Sequence, residues 1–478
     1  MDGVKAGSGA LTRWRGALGL CALLASGGCA WLTPAATGSG IPLPQGFRAA
    51  APGQPVAWPA PDWWRGFGAP ELDALMQAAL TQGFDLAAAV ARIRQADAQV
   101  RIAGSALLPQ ANLTAQATRQ QSVTTSTLSG STLSRRFETY NLGVAASYEL
   151  DFWGRNRAAL EAAQRNASAF RFDLGTVRIT TEASVANTYF QFLGAQEQIA
   201  ITNANLQASS RVLSVVRARV AAGTATGLDL AQQETLVAQQ RAQLPPLVQL
   251  AEQSRYSLAT LTGVLPGSID ARGGVFSRLA IPAVAPGMPA DVLARRPDVL
   301  TAEETLAAAN ANVVVARAAL LPSITLTGSG GLVSGALNTL INPSREIFSI
   351  ASALSQPIFQ GGALIGQVRL NEGRAKELLV AYRRAIVAAL VDAESGLVGL
   401  QQTTEQVRLQ EQAVATAERA FAIAEAQLRA GTIDQLALLT AQASLFTARN
   451  TLVQARLSRL QAAVALFRAL GGGWGTPS

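Results

Sequence analysis

The sequence predicts a mixed fold in which membrane β-strands lead into very long α-helices, in a chain whose second half repeats its first. Ala, Leu and Gln dominate the 478 residues, and a composition that is 49% hydrophobic but only 6% aromatic favours helix. Residues 155–222 and 363–430 contain no proline, which predicts helices of about 100 Å at ~1.5 Å per residue. Each of them follows a shorter segment with the alternation of a strand.

The composition also excludes several classes of function. The chain has no His, which removes the commonest general base and metal ligand. Its two cysteines lie in the first 30 residues, so no disulfide core or cysteine metal site is predicted. No GxxxxGK[ST], CxxC or nucleophile-elbow motif is present, and we expect no enzyme activity and no metal or cofactor. The positive charges are spread along helical segments, which indicates solvated helix faces rather than a nucleic-acid-binding surface.

The N-terminus has the form of a targeting segment. Positive charges precede an apolar stretch at 17–25 that is too short to cross a membrane, which predicts a signal peptide over 1–28. Small residues before Cys29 favour lipoprotein cleavage, with a lipid anchor on Cys29. Ser26 stands where the usual Leu is expected, so an ordinary signal-peptidase site nearby is the alternative. Residues 29–66, rich in Pro, Gly and Ala, predict an extended leader.

The lipid anchor is directly testable. Replacing Cys29 with Ser should abolish acylation because the acceptor thiol is lost, whereas export should survive because the apolar segment is intact. Mass spectrometry of the mature N-terminus shows whether the chain is acylated and whether it has been exported and cleaved. An unmodified wild-type N-terminus downstream of Ala30 would rule the anchor out.

Four landmark segments occur twice, in the same order and at nearly constant offsets of 207 to 213 positions, which indicates a tandem duplication. We assign the first repeat to 67–266, an equatorial connector to 267–290, the second repeat to 291–472 and a tail to 473–478. The matching pairs are GFDLAAAVARIRQADAQV (83–100) with RPDVLTAEETLAAANANV (296–313), ALLPQANLTAQ (106–116) with ALLPSITLTGS (319–329), YELDFWGRNR (148–157) with SQPIFQGG (355–362), and RVAAGTATGLDLAQQ (219–233) with LRAGTIDQLALLTAQ (428–442).

Each repeat predicts the same order of elements. The helical spacing of apolar residues ends near a Leu-Pro pair. Apolar and polar residues then alternate, as in a strand whose two faces contact different environments. In the first repeat the predicted elements are helix 71–107 without a break, strand ~110–121, a Ser/Thr loop at 121–136, strand ~139–152, helix ~155–222, and helix 228–263 with a kink at Pro245-Pro246. In the second they are helix 299–320, strands ~323–333 and ~346–358, and helices ~363–430 and 436–470.

The element lengths predict how the chain assembles. A helix of ~100 Å cannot bury its apolar stripe in a globular domain of this size, so it needs partners of similar length. Four alternating strands of about ten residues suit a membrane better than water, although a small soluble β-hairpin domain is the alternative. Four strands cannot close a barrel, whereas two chains would supply eight and three would supply twelve, which leaves a lumen. Gly154, Gly361 and Gly362 lie where strand turns into helix and permit a sharp change of direction.

At these motifs the sequence resembles the TolC-type outer-membrane factors, and most closely the NodT-type lipoproteins of RND efflux systems. The likeness rests on YELDFWGRNR, SQPIFQGG, the RRPD of 295–298 followed by AAANANV, and the two AGT turns, in order along the mature chain. It implies a homotrimer that forms one 12-stranded barrel in the outer membrane and a 12-helix tunnel in the periplasm. The implied partners are a periplasmic adaptor protein, an inner-membrane RND transporter and outer-membrane lipid.

The resemblance also implies where the tunnel meets its partners. The turns Gly223-Thr224 and Gly431-Thr432 are the two farthest from the barrel, and we expect them to contact the adaptor. In the family the second helix pair narrows to an aperture, and Leu436 matches its apolar position.

Charge at this aperture is a separate question. Thr440 stands where the family often has Asp, and Ala443 stands where some relatives have Arg. The resemblance therefore does not predict a charged or ion-paired gate at these two positions. Asp434 and Asp229, near the tips, could supply a negative ring instead. Their alternative role is to stabilise helix N-termini against the helix dipole.

The function that follows is a passive exit duct of a tripartite efflux pump, which conducts small molecules from the periplasm to the exterior. An exit duct for type I protein secretion shares the fold, and a periplasmic coiled-coil scaffold without transport is a third possibility. The cysteine at 29 and the RRPD region favour the efflux branch.

Overall fold

A computed structural model of the protein describes residues 38–49, 57–125, 132–284, 287–472 and 474. The chain divides into two compact units. The first consists chiefly of Ile93–Ala169 and Ala302–Tyr382, and the second of Ile41–Arg92, Phe170–Thr301 and Arg383–Ser478. The predicted signal peptide and Cys29 lie outside the described residues.

Two helices are very long. α3 (Arg155–Ala221) and α8 (Ala363–Arg429) have 67 residues each, and both lack the proline that would interrupt their hydrogen bonds. Within the described ranges no helix combines the length and apolar character needed to cross a membrane. The remaining helices are α1 (Pro70–Gln82), α2 (Phe84–Ser105), α4 (Gly227–Ala242), α5 (Leu244–Thr262), α6 (Pro289–Arg295), α7 (Pro297–Ala318) and α9 (Gln435–Ala469).

A four-stranded antiparallel sheet in the first unit has the order β1-β2-β3-β4. The strands are β1 (Gln110–Thr125), β2 (Thr132–Leu150), β3 (Ser323–Ser334) and β4 (Glu346–Ser355). β2 of the first repeat pairs with β3 of the second, so the two hairpins of the duplication share one sheet. β1 and β4 are the edges of this sheet within one chain, and such edges are open to pairing with further strands. The predicted combination of long helices with four strands is confirmed.

The strand ends differ from the prediction. The loop predicted at 121–136 is wrong over 121–125 and 132–136, because β1 continues to Thr125 and β2 already begins at Thr132, and the strands pair as far as Thr125↔Thr132. Threonine favours strands, so this Thr-rich polar run extends the ladder. β4 ends at Ser355 rather than at 358, since Pro357 has no N–H to donate to a ladder.

Two predicted helices are divided. The unbroken helix over 71–107 is wrong because Gly83 is extended, with φ −61° and ψ 131°, and separates α1 from α2. A Cβ at Gly83 would overlap the carbonyl oxygen of Ala79, which only glycine avoids. The kink predicted at Pro245-Pro246 is instead a boundary at Gln243 between α4 and α5. Both prolines then fall in the first turn of α5, where a missing N–H costs little.

The main core of the second unit is built on aromatic side chains. A short 3-10 helix, Trp63–Phe67, buries three of them. Trp63 stacks on Phe467 of α9 with ring centroids 4.9 Å apart, and Phe67 lies 5.0 Å from Phe190 of α3. Trp63, at the end of the predicted leader, thus packs on the second repeat, while Phe67 packs on the long helix of the first.

The predicted leader is held in place over its described part. Phe47 is buried against apolar side chains of α6, α8 and α9. The carboxylate of Glu394 in α8 accepts the backbone N–H of Arg48 at 2.7 Å and that of Ala49 at 3.2 Å. One side chain and two backbone groups therefore fix this segment on the second repeat.

Arg296 joins the start of the second repeat to its long helices. Its side chain is 10% exposed and binds Asp298 at 2.6 Å and Asp392 of α8 at 3.1 Å. It also donates to the carbonyl oxygen of Ala469 at 3.4 Å, at the C-terminal end of α9, where a cation is favoured. Burial lowers the pKa of Arg296, but the hydrogen bonds and charges of the two aspartates outweigh burial and raise the pKa above its ordinary value. The guanidinium therefore stays charged.

Candidate functional site

Glycines occupy the junctions between strand and helix. Gly154, Gly361 and Gly362 have φ angles of 77°, 59° and 83°, in a region that other residues rarely enter. After Gly154, the carboxylate of Asp151 accepts the N–H of Asn156 at 2.9 Å and caps the first turn of α3. The geometry suits a change of direction at these glycines, and their role as hinges stays a prediction.

Two turns with the same geometry follow the long helices, and we call residues 222–226 and 430–434 the two tips. Gly223 follows α3 with φ 71°, and Gly431 follows α8 with φ 73°. The backbone N–H and the hydroxyl of Thr224 and of Thr432 each donate to the carbonyl oxygen of the residue five positions earlier, at 2.8–3.1 Å. This pattern satisfies carbonyl groups at the ends of both helices, so the duplication has kept one tip conformation.

Both aspartates near the tips take part in starting the return helices. Asp229 forms a capping box with Thr226: the N–H and the hydroxyl of Thr226 both donate to the Asp229 carboxylate at 2.8 Å. These hydrogen bonds lower the pKa of Asp229. Asp434 is the N-cap of α9 and accepts the N–H of Ala437 at 2.9 Å. These contacts support the capping role, and a negative ring remains a prediction.

Leu436 lies in the first turn of α9 with its side chain 59% exposed. Thr440, one turn later, is exposed as well, and its hydroxyl donates to the Leu436 carbonyl oxygen at 2.9 Å. Leu228 holds the equivalent position after the other tip and is 66% exposed. Exposed leucines are unfavourable in water unless another surface covers them. Leu436 thus has the exposure that an apolar ring requires, although the ring itself stays a prediction.

A buried polar cluster lies behind the tips, where α3, α4 and α9 meet, and the sequence analysis missed it. Gln233 donates to the backbone oxygen of Ser209 at 3.0 Å, and Gln442 to the Ser209 hydroxyl at 3.4 Å. Gln435 donates to Gln233 at 3.2 Å. Regular spacing within each helix is the sequence signal for this cluster. We call it the polar seam; its members are Thr202, Asn205, Ser209, Gln233, Gln240, Gln435 and Gln442.

An apolar cluster and an open groove also lie near the tips. The tip cluster joins α3 to α8 and α9 and consists of Val212, Val216, Ala424, Leu428 and Leu438. The groove beside it has a volume of about 520 Å³. It combines an apolar floor with a charged rim, and its lining includes Val215, Phe421, Arg211, Glu425 and Arg429.

The structure also bears on metal binding. Over residues 38–49, 57–125, 132–284, 287–472 and 474, no group of three or more His, Cys, Asp or Glu side chains could hold a metal ion. The predicted lipid site, Cys29, precedes these ranges.

Comparison with known proteins finds relatives along nearly the whole chain. A family model described as outer membrane efflux protein matches residues 75–264 and 288–472. The chain is 42% identical over 457 residues to the pyoverdine export outer membrane protein OpmQ of Pseudomonas aeruginosa, with 95% of each chain covered. It is 31% identical over 462 residues to the solvent efflux pump outer membrane protein SrpC of Pseudomonas putida, with 96% of this chain and 98% of SrpC covered. The solved outer-membrane channel OprN is similar with a TM-score of 0.85 and 26% identity, over 93% of this chain and 99% of that one.

Proposed function

This chain belongs to the outer membrane efflux protein family, and from that premise we propose that its trimer is the outward path of a pump completed by a periplasmic adaptor and an inner-membrane RND transporter. The family resemblance and the duplicated, TolC-like fold class are confirmed. The protein is an outer-membrane efflux duct that extends into the periplasm, and the family consists of channels rather than enzymes. Family membership implies trimer assembly and pump partners, whereas the adaptor and the RND transporter are our proposal.

One observation supports the proposal above all. The family match spans both repeats, and OpmQ of Pseudomonas aeruginosa and SrpC are similar along 95% and 96% of this chain. The whole architecture is therefore shared, including both tips and the segment around Arg296. That segment carries the RRPD motif and supports an RND-type partner over a type I secretion system.

The names of the relatives also support passive conduction. OpmQ is named for pyoverdine export and SrpC for solvent efflux. Two related ducts thus serve different cargoes. We infer that the duct accepts the small molecules that its pump supplies, and that the choice of cargo resides in the inner-membrane partner.

The two tips are the surface that we assign to the adaptor. Both have the same backbone conformation, and an exposed leucine follows each of them. The groove beside the tip cluster adds an apolar floor with charged residues at its rim. A partner that presents an apolar stripe with polar flanks would match this surface.

The experiment tests whether adaptor binding and efflux depend on the backbone conformation of the two tips. A double variant with Gly223→Val and Gly431→Val places a β-branched residue at positive φ in both tips, a strain of about 1–3 kcal/mol at each site. We expect it to form trimers that conduct in bilayers, yet to lose adaptor cross-linking and to leave a deletion strain as drug-susceptible as the empty vector.

The matched control is Gly227→Ala, beside the first tip. Gly227 does not have positive φ, and a Cβ there would meet no atom within 4 Å. This variant should restore resistance as the wild type does. Full adaptor cross-linking and resistance in the double valine variant would refute the assignment of the tips.

A further inference from the structure

The first β-hairpin has one apolar and one polar face. β1 and β2 pair from Gln110↔Ser147 to Thr125↔Thr132, and this register fixes which side chains share a face. In a membrane sheet the apolar face contacts lipid and the polar face lines the lumen. The lipid face is formed by Ala111, Leu113, Ala115 and Ala117 of β1 and by Tyr140, Leu142, Val144, Ala146, Tyr148 and Leu150 of β2. The lumenal face includes Asn112, Thr114, Gln116 and Thr118 of β1 and Thr139, Asn141 and Ser147 of β2.

The apolar part of the lipid face has the height of a membrane. Leu150 lies at the end of β2 that leads into α3, and therefore towards the periplasm. Tyr140 precedes Leu150 by 10 positions, which is ~33 Å along the strand at ~3.3 Å per residue. A strand tilted by about 40° crosses about 25 Å of membrane over this distance, which is the height of the apolar band in such barrels. The outer boundary of the hydrocarbon layer thus lies just beyond Tyr140.

Charged side chains begin immediately beyond this boundary, on the same face. Glu138 lies opposite Arg119, and a salt bridge of 3.2 Å joins Arg119 Nε to Glu138 Oε1. Arg136 is exposed and lies opposite Gln121, whose amide nitrogen donates to the Ser134 hydroxyl at 2.8 Å. Two guanidinium groups and one carboxylate therefore occupy neighbouring positions at the outer edge of the lipid face, with positive charge in excess.

The two arginines are suited to a shared acceptor. Arg119 is 64% exposed, and its guanidinium has five N–H donors, of which the salt bridge engages the one on Nε. Arg119 and Arg136 are diagonal neighbours across β1 and β2, a separation that long side chains can span. At the outer end of the second hairpin, Arg345 and Glu346 carry opposite charges. Over the described residues of the lipid face, the excess positive charge therefore belongs to the first hairpin.

We propose that Arg119 and Arg136 bind the phosphate of a lipid headgroup in the outer leaflet of the membrane. Guanidinium groups bind phosphate through paired, charge-assisted hydrogen bonds. The apolar side chains below them contact the acyl chains of the same lipid, so charge and apolar surface act together. A soluble anion would gain only the first of these contacts. The inference rests on the outer-membrane location of the duct and is independent of its pump partners.

The test measures lipid binding to the purified protein. Diphosphorylated lipid A is titrated into detergent-solubilised trimer, and bound lipid is counted by native mass spectrometry. Each arginine near an anionic headgroup contributes about fivefold to affinity, so Arg119→Gln combined with Arg136→Gln should weaken binding roughly 25-fold. Arg119→Lys combined with Arg136→Lys should retain most of the affinity, because both positive charges remain.

The chain offers a matched control one residue away. Arg135 lies on the lumenal face of β2, with its guanidinium carbon 5.1 Å from the centroid of the Phe137 ring. Arg135→Gln removes the same charge from the same strand but from the opposite face. It should bind diphosphorylated lipid A as tightly as the wild type does.

Several outcomes would overturn the site. They are wild-type affinity in the double glutamine variant, an equal loss in Arg135→Gln, and equal binding of lipid A without phosphates. Displacement of the lipid by an excess of inorganic phosphate would assign the arginines to a soluble anion instead. If the double glutamine variant does not form trimers, Arg136→Gln alone decides, because it leaves the pair of Arg119 and Glu138 intact. A loss of about fivefold supports the site, and an unchanged affinity rejects it.

Discussion

Replacing Leu436 with Ser is expected to raise the single-channel conductance of the trimer severalfold and to let large antibiotics leak inward. Leu436 is 59% exposed in one chain, and three-fold symmetry would bring three copies together at the aperture. An apolar constriction excludes water, so an ion must lose hydration to pass. Serine is smaller and offers a hydroxyl that holds water. Conductance in planar bilayers and antibiotic susceptibility of intact cells measure the effect.

The chain supplies a matched control for this prediction. Leu228 holds the equivalent position after the other tip and is 66% exposed, but it is not assigned to the aperture. Leu228→Ser should therefore leave conductance unchanged. Thr440→Asp should mainly shift selectivity towards cations, since it adds three carboxylates one turn from Leu436. Equal conductance in Leu436→Ser and wild type would place the constriction elsewhere.

Replacing Arg296 with Met should destabilise the second unit and lower the yield of trimer. The change leaves Asp298 and Asp392 without their shared cation, and breaking a buried ion pair in this way costs about 3–5 kcal/mol. The aspartates are 37% and 44% exposed, so water offsets part of this cost. We expect a loss of about 2 kcal/mol, with a melting temperature ~3 °C lower. Thermal unfolding of the purified protein measures it.

Two further variants separate charge from packing at this site. Arg295→Met removes the neighbouring guanidinium, which is exposed and lies 4.5 Å from the ring of Trp58, so it should cost about 1 kcal/mol or less. Arg296→Met combined with Asn at 298 and 392 should recover part of the loss, because no carboxylate then remains unpaired. An Arg296→Met protein as stable as the wild type would show that the network is dispensable.

Much of the fold was predictable because its signals are long and regular. Proline-free runs define α3 and α8, and the ordered landmarks reveal the duplication. The errors arose where a single residue or a polar run decides the structure. Gly83 divides a helix because its backbone lies close to the carbonyl oxygen of Ala79. No sequence pattern around Gly83 predicts this contact. The hydroxyl side chains at 121–136 predict a loop, but pairing between β1 and β2 makes 121–125 and 132–136 parts of strands.

The site was predictable in its backbone but not in its interior. The glycines of both tips and of the strand-to-helix junctions have positive φ, as their positions next to predicted helix ends suggest. The sequence does not predict the polar seam, because Asn and Gln, such as Asn205 and Gln233, usually lie on the solvated face of a helix. Only the packing of three helices shows them to be buried. A polar residue repeated at helical intervals can therefore mark an interface as well as a solvated face.

The chain is synthesised and exported from its N-terminus, yet the buried apolar residues that cluster with Phe47 all come from the second repeat. Glu394, which accepts the backbone N–H of Arg48, follows it by 346 positions. Contacts between such distant residues form late, after a long loop has closed. During export the segment around Phe47 therefore stays exposed until those residues follow. It reaches its native contacts only once the second repeat has been translocated, so folding of this segment depends on the completion of export.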